Sequence, residues 1–285
     1  MENTLKVDIK FKKFRITPTI HGSMIWPVND TIIGKCLAIY GEWSEGANII
    51  MSQFVQEGET VLDIGANIGT TVLPLSKSVG DKGKVVAFEP QNLMSQCLNA
   101  NLTINDITNV DVYNFGISNK SGWTKLNDQD CIESGRYGEA SISDEGTRII
   151  TITLDELELD NCSFIKMDIE GHEWQALQGG RKFLEKHKPS LYFEAKKEIQ
   201  NTKKCTKWLF ENDWRCYWHF AWWYREKNFN KKKENYFLGD GDMNILAVHK
   251  SRSQPKNLLN MENPNEEWSR VKYLEFYDKN NLEII

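Results

Sequence analysis

Residues 60–90 constrain this chain more than any other stretch. Thr60 to Ile64 is a short apolar run suited to a strand buried on both faces. Gly65 and Gly69 then allow a sharp turn and a close backbone approach, where a Cβ would intrude. A helical stretch follows, and Lys84 to Phe88 forms a second strand that ends at Glu89. Strand, glycine turn, helix, strand and acid make half of a nucleoside-binding α/β fold. Glu89 comes 24 residues after Gly65, near where such folds place an acid on ribose hydroxyls.

The turn is not the dinucleotide fingerprint G-x-G-x-x-G, because Asn67 stands two residues after Gly65. Asp63 ends the strand just before the turn. A carboxylate there repels a pyrophosphate, which needs bare backbone donors at a helix N-terminus. It suits a ligand carrying an ammonium group. S-adenosylmethionine fits these charges, with a ribose for Glu89, an amino-acid end for the glycine turn, and no phosphate.

Four blocks carry a family resemblance: Tyr40 to Trp43, Val61 to Gly69, Ala87 to Gln91, and Ile165 to Glu173. Together they resemble the FkbM-type S-adenosylmethionine-dependent methyltransferases, over about Ile32 to Lys250. The last block is the most family-specific. The resemblance implies the Rossmann-like class I fold, a doubly wound, mostly parallel seven-stranded sheet with helices on both faces. It also implies an antiparallel strand pair at the C-terminal edge and methyl transfer to a hydroxyl, often on a sugar or a polyketide.

A chain of 285 residues suits one large α/β domain with additions. We expect a cover segment over 1–58, the methyltransferase domain over 59–250 and an extension over 251–285. Net charge is −5, so no overall field draws the protein to nucleic acid or anionic lipid. No apolar run approaches the ~18 residues of a membrane span. Met1 to Arg15 alternates lysines with Val7, Ile9, Phe11 and Phe14 and has no continuous apolar stretch, unlike a secretory signal. The six cysteines are scattered without a C-x-x-C pair, which favours reduced thiols in a core and a cytoplasmic location.

Strand and helix signals alternate from residue 60 onward, as in a parallel sheet. Strands are expected at 60–64, 84–88, 109–115, 162–167, 189–194, 214–220 and 243–249. Helices are expected over Gln91–Ile104 and His172–Lys186, with one more over Glu266–Tyr277. Ahead of the domain we expect a strand and a helical stretch around Ala47–Val55. Residues 118–148 lack periodicity and read as a loop or short hairpin beside the site.

Ligands of such sheets lie beyond the carboxyl ends of the strands. Asp63, Glu89 and Asp168 fall there, with Glu170 and Glu194 as further acids. Cofactor contacts are expected from Asp63, Gly65, Ala66, Asn67 and Gly69, from Phe88, Glu89 and Pro90, and from Asp168. Gly116 and Ile117, after the third strand, are expected near the adenine, and Glu42 and Trp43 as a closing edge. Asp168, His172 and Glu194 are the catalytic candidates. Methyl transfer needs an aligned acceptor oxygen and a base for its proton. His172 titrates near neutrality when unperturbed, and two carboxylates could instead hold a divalent cation. No compact ligand spacing such as H-E-x-x-H supports that last option.

Eight aromatic or imidazole side chains crowd 214–224, too many for one face of a strand. His219, Trp222, Trp223, Tyr224 and Asn228 therefore read as an acceptor surface for a carbohydrate, with ring faces for C–H groups and amides for hydroxyls. Two other readings stay open. One is an RNA 2′-hydroxyl acceptor, hinted at by Lys166 beside Asp168 but lacking a basic surface. The other is a module that binds S-adenosylmethionine without catalysis.

Overall fold

A computed structural model describes residues 9–195, 199–280 and 282. Met1 to Asp8, the start of the lysine-rich alternation, lies outside them. The chain opens with strands β1 (Ile9–Lys10), β2 (Phe14–Thr19) and β3 (Gly22–Pro27), which form an antiparallel sheet of their own. Helices α1 (Ile33–Tyr40) and α2 (Glu45–Ser52) follow. The sequence suggested one strand and one helix here. Helix α1 has neither a capping side chain nor an acidic first turn, so its usual start signals are missing.

Next come β4 (Thr60–Ile64), α3 (Val72–Val79), β5 (Lys84–Phe88), α4 (Asn92–Ile104) and β6 (Val110–Tyr113). The segment read as a loop or hairpin is more ordered than that. Strands β7 (Gly116–Ile117) and β8 (Gly122–Asn127) precede helix α5 (Gln129–Ser134), and β9 (Ser141–Ser143) and β10 (Thr147–Ile152) follow it. These four strands form a second sheet in the order β7-β10-β8-β9. Its strands are short and its exposed face mixes polar with apolar residues, which hides the period-2 signal.

The second half runs β11 (Phe164–Met167), α6 (Glu173–Gln178), α7 (Arg181–His187), β12 (Ser190–Glu194), α8 (Ile199–Glu211), β13 (Trp214–Trp222), β14 (Gly241–His249), β15 (Leu259–Asn260) and α9 (Arg270–Lys279). The helix expected over His172–Lys186 is broken at Gly179 and Gly180. A Cβ on Gly179 would lie 2.1 Å from the Ser118 carbonyl oxygen, so the chain passes too close for a continuous helix with side chains.

The large sheet has eight strands in the order β15-β13-β14-β12-β11-β4-β5-β6, one more than the family pattern because the two-residue β15 extends its edge. From β12 to β6 all pairs are parallel, while β14 is antiparallel to both neighbours. Alternate residues feed opposite faces. Val61, Val85 and Phe164 join one apolar core with the N-terminal cover. Leu62, Val86 and Ile165 join the other with α6, α7 and α9. Successive strands are laid outward from β4 to β6, and the chain then returns to β11 on the other side of β4. That reversal opens a crevice at the carboxyl ends of β4 and β11. No helix among the described residues is long and apolar enough to cross a membrane.

Asn101, fully buried on α4, ties the cover to this frame. Its Oδ1 accepts from Ile25 N at 2.6 Å, and its Nδ2 donates to the carbonyls of Ile25 (3.1 Å) and Ile68 (2.8 Å). Asn101→Ala strands these buried groups, so urea unfolding should show a loss of about 2–3 kcal/mol.

Candidate functional site

One cavity of about 310 Å³ opens at the crevice. Its first wall is the glycine turn, Gly65 to Asn67. Gly65 takes φ +80°, and a Cβ there would lie 1.9 Å from the Asp168 carbonyl oxygen, so glycine is required twice over. Asn67 also sits in the left-handed region, at φ +49°.

The second wall is the end of β5, with Phe88, Glu89, Pro90 and Gln91. Glu89 Oε2 accepts from Asn67 N at 2.7 Å and Oε1 from Gln91 N at 2.8 Å. Each oxygen keeps a second lone pair for a hydroxyl donor. Burial pushes this carboxyl up to about 7, against the pull of the two backbone amides. Phe115, Gly116 and Ile117 complete this side, with Phe88 and Phe115 each stacked against Tyr113.

Segment 136–140 of the second sheet's excursion also lines the cavity. Gln91 Nε2 donates to the Tyr137 carbonyl at 2.8 Å, and the Tyr137 hydroxyl donates to Asn29 Oδ1 at 2.9 Å. No motif announced this contribution, because a backbone carbonyl and a ring do the joining.

At the opposite end stand Asp168, Glu170, Tyr192, Glu194, Trp223, Asp242 and Asn244. Glu194 and Asn244 are register partners across β12 and β14. Trp223 donates from Nε1 to Asp242 Oδ2 at 3.0 Å and packs against Trp43 at 5.5 Å between ring centres. Asp168, Glu170 and Glu194 each bring one carboxylate oxygen within 4.8 Å of the others. Burial, then the nearby charges of Asp168, Asp242 and Glu173, push Glu194 up to about 10. Tyr192 and Asp242 were not foreseen, since only strand pairing brings them here.

His172 lines the cavity beside Ser118 and Ile117. Its Nε2 lies 2.9 Å from Ser118 Oγ, the residue after Ile117, and burial pushes the imidazole down to about 4. An imidazole with so low a pKa is a weak base.

Several expected site residues lie elsewhere. Asp63 is fully buried beneath the turn, with Lys166 Nζ at 3.1 Å, and does not reach the cavity. Gly69, at φ +92°, gives room to Leu98 of α4. Glu42 is buried and holds the 225–240 loop, accepting from Arg225 Nε and Phe229 N, both at 2.9 Å. His219 is buried behind Tyr192, 2.7 Å from its hydroxyl. Trp222 packs against Phe220 under the Arg270 guanidinium. Tyr224 donates to the Lys233 carbonyl, and Asn228 Nδ2 donates to the carbonyls of Arg225 and Lys232. Sequence crowding suggested one surface, whereas the strand and its loop disperse these side chains over several.

The family model of the FkbM methyltransferase domain matches residues 63–216, more than half of the sequence. This chain belongs to that family. It is a class I methyltransferase, and its methyl donor is S-adenosylmethionine. The residues fit that donor: a cavity lined by many more acids than bases, a turn with no room for a Cβ, and the Glu89 carboxyl facing in.

Among solved structures, the FkbM methyltransferase of Methylobacillus flagellatus is 21% identical, covers 67% of this chain and has a TM-score of 0.45. This chain spans only 43% of that protein's length. An S-adenosylmethionine-dependent O-methyltransferase of Thermotoga maritima is 15% identical, with 88% of each chain covered and a TM-score of 0.42. TomG of Streptomyces achromogenes, an O-methyltransferase of tomaymycin synthesis, is 11% identical, covering 72% of this chain and 78% of its own at a TM-score of 0.45. No curated protein matches the sequence.

Glu89 and Glu173 are pushed to about 7 and Glu194 to about 10, from an ordinary 4.5. A raised folded pKa favours the fold at low pH, and that contribution fades as pH climbs from 4.5 through the folded value. Thermal melts of the cofactor-free protein should therefore fall from pH 5 toward pH 8. Glu194→Gln should flatten that slope and raise the melting temperature at pH 8.

Proposed function

We propose that this methyltransferase acts on a hydroxyl of a sugar or a similarly polyhydroxylated small molecule. One observation carries the reading: opposite the cofactor walls, the carboxyl side chains of Glu170, Glu194 and Asp242, the Asn244 amide and the Trp223 indole face the same small space as Asp168. Carboxylates and amides bind several hydroxyls at once, and an indole face covers C–H groups. Trp223, held by Asp242 and Trp43, is the proposed platform. The cavity's few cations and many acids weigh against an RNA backbone.

Bound S-adenosylmethionine supplies an electrophilic methyl carbon on a sulfonium that leaves readily. Gly65 to Asn67 and Glu89 hold the donor, Glu89 through its diol. Asp168, whose side chain is about half exposed, takes the acceptor proton. Glu194 holds a proton at neutral pH and donates to a neighbouring hydroxyl, fixing the acceptor's orientation. His172, neutral and bound to Ser118, shapes the donor side. Residues 1–58 serve as a cover, and six buried cysteines without a disulfide support a reducing, cytoplasmic setting.

Incubation with isotopically labelled S-adenosylmethionine and a panel of sugars, glycolipids and RNAs, with and without a divalent cation, tests the acceptor class. Label on a sugar oxygen is expected, and label on RNA alone would refute the reading. Asp168→Asn should bind the donor normally while turnover falls roughly 10²–10⁴-fold. His172→Asn should raise the donor KM and spare kcat. In calorimetry, Glu89→Ala should weaken donor binding by about 1.5–3 kcal/mol.

A further inference from the structure

Loop 225–240 carries two features that its fold does not require. Leu238 is 92% exposed and sits at φ +48°, a backbone region unfavourable for a branched apolar residue. Tyr236 is 54% exposed. Between them Phe237 points inward, onto Trp223 (5.5 Å) and Tyr40 (6.0 Å). The alternation is thus anchored: one ring faces the protein and its two apolar neighbours face away from it.

Lys231, Lys232 and Lys233 are exposed on the same loop. They lie three to five residues before Tyr236, and Tyr40 pins the chain between, its hydroxyl donating to the Glu234 carbonyl and accepting from Tyr236 N. Lys35, also exposed, lies 5.3 Å from the Phe237 ring centre. With Arg225 held by Glu42, residues 225–240 leave four exposed lysines against three acids, a small positive surplus in a chain of net charge −5. Apolar tips beside a lysine cluster match an anionic lipid surface, with side chains entering the acyl boundary and ammonium groups at the phosphates.

We infer that this loop docks the enzyme reversibly on anionic membranes. A nucleic acid would use the lysines but gains nothing from a fully exposed leucine. Because Phe237 packs on Trp223, docking sets the acceptor end of the cavity beside the lipid surface. An acceptor carried on a lipid headgroup would then lie within reach. That last consequence rests on the acceptor reading above, whereas the docking surface does not.

Flotation with phosphatidylcholine vesicles, with and without phosphatidylserine, tests the inference apart from any methyl transfer. The protein should float only with the anionic vesicles and come off at high salt. Replacing Lys231, Lys232 and Lys233 by glutamine should lower partitioning on the order of a hundredfold. Tyr236→Ser with Leu238→Ser should lower it about tenfold. Melting temperature and donor affinity should be unchanged in both variants. Failure of the wild type to bind at low salt, or equal binding by the variants, overturns the proposal. So does a result in which the same substitutions abolish self-association or oligonucleotide binding and leave vesicle binding intact.

Discussion

Lys166 holds the centre of this molecule together. Its ammonium donates to the Gly65 carbonyl at 2.7 Å, lies 3.1 Å from Asp63 Oδ1 and 3.9 Å from Asp168 Oδ2. Burial disfavours that charge, but Asp63 and Asp168 outweigh it and hold the ammonium above its ordinary value. One side chain thereby joins the end of β4, the glycine turn and the end of β11, where the cavity opens. Removing it would leave the Asp63 carboxylate buried without its counter-charge. Asp63 lies beneath the glycine turn and fixes Lys166 there.

Around that pair the cavity is acidic, and its acids interact. Glu89 and Glu194 are both raised by burial, and Glu194 further by Asp168 and Asp242. Empty, such a cavity retains protons. A cationic donor with a sulfonium and an ammonium supplies the missing positive charge and favours ionisation.

The aromatic segment 214–224 illustrates how a composition can mislead. Strand β13 sends Trp214, Tyr217 and Trp218 into the two cores, and its loop folds Tyr224 back onto Tyr40. Only Trp223, one residue past the strand, reaches the cavity. Period-2 alternation assigns faces within a strand. It says nothing about where the chain leaves the sheet, and that position decides which ring meets a ligand.

Local sequence determined the strand, turn, helix and strand of residues 60–90, Glu89 at the end of β5 and Asp168 at the end of β11. Each of these depends on short-range chemistry: apolar runs for buried strands, glycine for positive φ, and an acid at a strand end. Tertiary structure alone decided that Asp63 faces Lys166 and that His172 meets Ser118. It also placed the 136–140 segment over the cavity and gathered Tyr192, Asp242 and Asn244 with Glu194. Those residues are far apart in the chain. Only strand order and register, set by which apolar faces bury together, bring their polar atoms to one place.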